Sequence, residues 1–82
     1  MTKSDRILAL RKFHIKLRMA EHLRDTYREC AYRGAVASQE HLLMEENNMS
    51  QMEVKMLREC FDEEIKKAGI ESDQFVALYH LP

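Results

Sequence analysis

Two cysteines and four histidines are the side chains best suited to chemistry in this sequence: Cys30 and Cys60, with His14, His22, His41 and His80. Both cysteines sit in an Arg-Glu-Cys triplet, within YRECAY at 27–32 and LRECFD at 57–62. The flanks LRDTYRECAYRG and EVKMLRECFDEE share almost nothing else, so the triplets read as coincidence in a chain rich in Arg and Glu. A disulfide needs Cα atoms within about 4.4–6.8 Å. The helical hairpin expected below puts Cys30 and Cys60 near opposite ends, too far apart to pair.

Metal chemistry lacks its usual spacing. There is no CxxC, no HxxxH and no Cys/His cluster of the kind that makes zinc sites recognisable. His41 and Glu45 lie one helical turn apart but read as a solvated helix face. No metal or cofactor is expected. For nucleophilic catalysis the one candidate is Cys30, whose neighbours Arg28 and Arg33 would favour a thiolate. It also fits as a small apolar residue on a helix stripe, and two or three helices enclose little shielded volume. No catalytic residue is therefore assigned, and a non-enzymatic protein is expected.

The elements that position these residues follow from composition. The 82 residues are 45% apolar and 33% charged, with two glycines, one proline and no tryptophan. So few turn formers cannot serve many short strands, and abundant Leu, Met, Glu, Arg and Ala favour an all-α single domain. Apolar runs are short and the N-terminal segment is interrupted by charge, which predicts no membrane span and no export signal. With two unpaired cysteines this points to a reducing cytoplasm, that of the host if the chain is encoded by a virus or plasmid.

One helix is predicted over about 5–33, capped by Ser4 or Asp5 and ended by Gly34, with the apolar stripe Leu10, Phe13, Leu17, Ala20, Leu23, Tyr27, Cys30 and Ala31. Lys12 and Lys16 fall beside this stripe, where their stems can lie on apolar surface. After a GAVA connection, Ser38 caps a second helix over about 38–68, which Gly69 ends. A break is available near 47–50, where Ser50 and Glu53 match a capping box. Asp73 is expected to cap a short third helix carrying Phe75, Leu78 and Tyr79.

Charge is unevenly divided: residues 1–36 sum to +5 and residues 37–82 to −6. A hairpin turning near residue 36 lays the basic half along the acidic half. It places Arg6 by Glu64 and Ile65, Arg11 and Lys12 by Glu59 and Cys60, and Arg18 by Glu53. Each helix also carries a second apolar row: Leu8, Ile15 and Met19 on the first, and Val54, Leu57, Phe61, Ile65 and Ala68 on the second, beside the methionines at 44, 49, 52 and 56. One hairpin cannot bury all of this, so two hairpins are expected to pair as a homodimeric four-helix bundle, or to bind another protein's helix.

The function expected is that of a protein–protein interaction module: an adaptor, chaperone-like cofactor or inhibitor of a larger protein. Its contact residues would be Leu8, Ile15, Met19, Met49, Met52 and Met56, rimmed by Arg11, Arg18 and Glu45. The rival is a nucleic-acid-associated regulator using Lys3, Arg6, Arg11, Lys12, Lys16 and Arg18, although helical spacing scatters these six around the cylinder.

Overall fold

The computed structural model describes residues 1–81. It is all-helical: α1 Lys3–Leu23, α2 Thr26–Glu46, α3 Gln51–Ala68 and α4 Asp73–His80. Helices α1 and α2 form an antiparallel hairpin; α3 then returns alongside α1, and α4 folds back against it.

The hairpin turn sits about three helical turns earlier than expected. The helix predicted over 5–33 breaks at Arg24, which adopts the left-handed conformation (φ 56°, ψ 35°). A non-glycine residue costs about 1 kcal/mol there. Local hydrogen bonds offset it: the Arg24 N–H donates to the Ala20 and Glu21 carbonyls, and the Asp25 side chain accepts from the Arg28 N–H as the cap of α2. Correspondingly, Gly34 and Ser38 lie inside α2 instead of ending one helix and capping the next. The predicted stripe ran straight across the break, which is why its last members, Leu23, Tyr27, Cys30 and Ala31, are all exposed while Leu10, Leu17 and Ala20 are buried.

The predicted break near 47–50 is present. Ser50 caps α3, with its side chain accepting from the Glu53 N–H and the Glu53 carboxylate accepting from the Ser50 N–H. Asn48 turns the chain at positive φ, and Met49 N–H donates to the Leu43 carbonyl. At the start of α1 the cap is Thr2, in a capping box with Asp5. Gly69 ends α3 as expected, at φ 86°, and Ser72, one residue before the expected Asp73, holds the cap position of α4.

Core residues fall into two groups that share α1. Leu10 and Leu17 pack with Val36, Leu43, Met49, Val54 and Phe61 from α2, α3 and the loop between them. Ile15, Met19 and Ala20 pack with Phe75 and Tyr79 of α4. The second apolar row of α1, expected to meet another chain, is thus largely covered by the C-terminal helix of the same chain. Burying Phe75 alone contributes roughly 2–3 kcal/mol.

Gly34 discriminates between the two turn positions. A Cβ added at this helical position meets nothing within 4 Å, so Gly34→Ala should stabilise the fold by about 0.5–1 kcal/mol in urea unfolding. Had Gly34 been the left-handed residue of a turn, the same change would destabilise.

Candidate functional site

The positions expected to contact a partner divide sharply. Ile15, Met19 and Met49 are buried in the core, which withdraws them from any surface of the folded chain. Leu8, Met52 and Met56 stay in solvent, at 64%, 62% and 56% exposure, and Glu45 is exposed as well. Leu8 continues the row of Ile15 and Met19 toward the N-terminus. It is uncovered because α4 runs antiparallel to α1 and finishes beside Lys16, whose Nζ donates to the Leu81 carbonyl at 3.0 Å. Met52 and Met56 are one turn apart on the face of α3 opposite buried Val54 and Phe61. Cys60 extends that row, and Lys55, Glu59 and Glu63 flank it, all exposed.

Arg11 and Arg18, expected as a partner-facing rim, are turned inward to α3. Arg11 holds Glu64 through both its Nε, at 3.0 Å, and a terminal nitrogen. Arg18 spans Asp62 and Glu21, with Nε 3.0 Å from Asp62 Oδ1 and Nη1 2.8 Å from Glu21 Oε1. The basic half does lie on the acidic half, but in another register. Because the chain reverses twice between them, α1 and α3 run in the same general direction, and Arg11 meets Glu64 while His14 and Arg18 both meet Asp62. Arg6 pairs with Glu46 and Asn47 across the end of α2, not with Glu64.

His14 is 1% exposed. Its Nε2 lies 2.7 Å from Asp62 Oδ1 and its ring is stacked at a tilt against Phe61. Asp62 therefore serves two α1 side chains at once. Partial burial pushes its carboxyl up, but the hydrogen bonds from Arg18 and His14 outweigh this and hold it below the ordinary aspartate value. Glu64 is likewise held low, chiefly by the Arg11 hydrogen bond.

A second feature was missed in the sequence. Helices α1, α2 and α4 enclose an open groove of about 470 Å³ lined by Lys12, Phe13, Lys16, Arg28, Tyr32, Tyr79, His80 and Leu81. Lys12 and Lys16 hold their ammonium groups near the Phe13 and Tyr32 rings, and Lys16 is 3% exposed. The convergence of Arg28 and three aromatic rings on them depends on the turn at Arg24 and on the docking of α4, which local pattern does not report. Both cysteines are free and exposed, and among the described residues no cluster of three potential metal ligands forms. No helix among the described residues is long and apolar enough to cross a membrane.

Comparison of the chain with protein-family models, with curated proteins and with solved structures finds no match.

Removing the shared carboxylate should be costly. Asp62→Ala leaves buried His14 without its acceptor and Arg18 short of a partner, for an expected loss of about 1–3 kcal/mol by urea unfolding. Carboxylates whose folded values are depressed stabilise the fold above their unfolded values, and that contribution is lost as pH falls through the folded ones. Wild-type stability should therefore decline below about pH 4, and the decline should be shallower in Asp62→Asn.

Proposed function

We propose that this chain is a non-enzymatic protein–protein interaction module that acts as an adaptor, chaperone-like cofactor or inhibitor of a larger protein. Its docking surface is the outward row of α3. The supporting observation is the pair Met52 and Met56. These are large apolar side chains left in water, one turn apart, on a helix whose inner face is already satisfied by Val54 and Phe61. Thioethers are flexible and polarizable, suited to packing against an incoming helix, and the adjacent Lys55, Glu59 and Glu63 supply a polar rim. A partner's amphipathic helix laid across this row would bury both methionines.

A homodimer is not needed to cover the second apolar rows: Ile15 and Met19 lie beneath α4, and Val54 and Phe61 are in the core of the single chain. Self-pairing would now have to use the same α3 row. The nucleic-acid reading of the N-terminal helix is weakened by the ion pairs: Arg6, Arg11 and Arg18, half of its six basic side chains, face carboxylates of their own chain.

The test is a Met52→Glu/Met56→Glu double substitution. Surface changes of this kind usually shift stability by no more than about 0.5 kcal/mol, so the fold should survive. A protein captured stoichiometrically by the wild type and lost by the double variant supports the proposal. So does concentration-dependent sedimentation that the variant abolishes, which would make the partner a second copy. Equal capture by both proteins, with no self-association, contradicts it.

A further inference from the structure

The groove between α1, α2 and α4 gathers three cations against aromatic rings. Elsewhere, Arg6, Arg11, Arg18, Arg33 and Arg58 each reach a carboxylate. In the groove, three cations converge on aromatic rings instead. Lys12 Nζ is 5.0 Å from the Phe13 ring centre, Lys16 Nζ is 5.6 Å from that of Tyr32, and the Arg28 guanidinium is 5.3 Å from that of Tyr79.

Among the described residues, the one carboxylate paired with any of the three is Asp25, 3.6 Å from Arg28 Nε. Asp25 also accepts the Tyr79 hydroxyl at 3.0 Å. Lys16 is the extreme case. It is 3% exposed, its ammonium donates to a neutral carbonyl, and burial followed by the charges of Lys12 and Arg28 pulls its pKa down. Gathering like charges costs free energy that an anion between them would recover.

We infer that this groove binds a small organic phosphate of mononucleotide size, its phosphoryl group between Lys12, Lys16 and Arg28 and its ring against the partly exposed Phe13 and Tyr32. Charge and volume select this class. Three cations less Asp25 leave a net of about +2, which a phosphomonoester of about −1.5 to −2 matches and a single carboxylate does not. A bare phosphate ion would fill little of a 470 Å³ groove, a volume within the usual small-ligand range. Phe13 and Tyr32, both partly exposed, offer ring surface for stacking a base, each such contact worth about 1–3 kcal/mol. This assignment is independent of the α3 surface and can fail without it.

Titration of the ¹⁵N-labelled chain with adenosine monophosphate, followed by NMR, tests the inference against three further probes: inorganic phosphate, adenosine, and a single-stranded oligonucleotide. The expected result is saturable shifts at Lys12, Lys16, Arg28, Tyr32 and Tyr79 with Kd of about 1 mM or tighter, and at least about tenfold weakening in Arg28→Gln. Arg28 is exposed, so that variant should fold normally. Inorganic phosphate should move the same signals more weakly, and adenosine should not compete. Absence of groove shifts at about 10 mM nucleotide, equal binding of adenosine, or binding of the oligonucleotide with none of the mononucleotide would each overturn it.

Discussion

Helix α1 must be covered on three sides, and the rest of the molecule is arranged around that need. It carries two apolar rows and three buried polar or charged residues, Arg6, His14 and Lys16. No single neighbouring helix can cover a cylinder that is apolar over so much of its circumference. Helix α2 takes the Leu10–Leu17 side, α3 adds Val54 and Phe61 to the same core, and α4 closes the Ile15–Met19 side with Phe75 and Tyr79. An 82-residue chain has little apolar core to spare, so a C-terminal helix of eight residues carries a large share of it.

Polar contacts around α1 set where each neighbour sits. Exposed ion pairs contribute little stability individually, yet here they fix register. Arg11 and Arg18 place α3 through Glu64 and Asp62, and Arg6 holds the end of α2 through Glu46 and Asn47. Lys16 secures the end of α4 through the Leu81 carbonyl, and the Tyr79 hydroxyl donates to Asp25 at the hairpin turn. Two kinds of cation result. Those against α3 and the end of α2 are neutralised within the chain, whereas those between α2 and α4 stand over aromatic rings and leave a positive groove.

The helical class was legible because turn formers are scarce and the apolar spacing is regular. Ser50–Glu53 was legible too, since a capping box is a local signal with a local cause. The turn at Arg24 was not. No glycine or proline marks it, and a non-glycine residue enters the left-handed region there because α2 must fold back on α1. Together with the second reversal at 47–50, that displacement changed the pairing of α1 with α3 from antiparallel to parallel. It turned Arg11 and Arg18 inward, left Tyr27 in solvent, and made Gly34 a mid-helix residue. The contact positions suffered for a related reason: which of Leu8, Ile15 and Met19 stays exposed depends on where α4 ends, a tertiary fact. Met52 and Met56 remained outward because α3 alone has a well-separated inner and outer face.

One copy of the chain buries Ile15 and Met19 of its own second α1 row beneath α4. Isotope-filtered NMR on a mixture of labelled and unlabelled protein measures this directly, through nuclear Overhauser contacts from the Phe75 ring to the Ile15 and Met19 methyl groups. The account predicts that these contacts arise within single molecules and persist on dilution. Finding them between labelled and unlabelled molecules, and losing them on dilution, would contradict it.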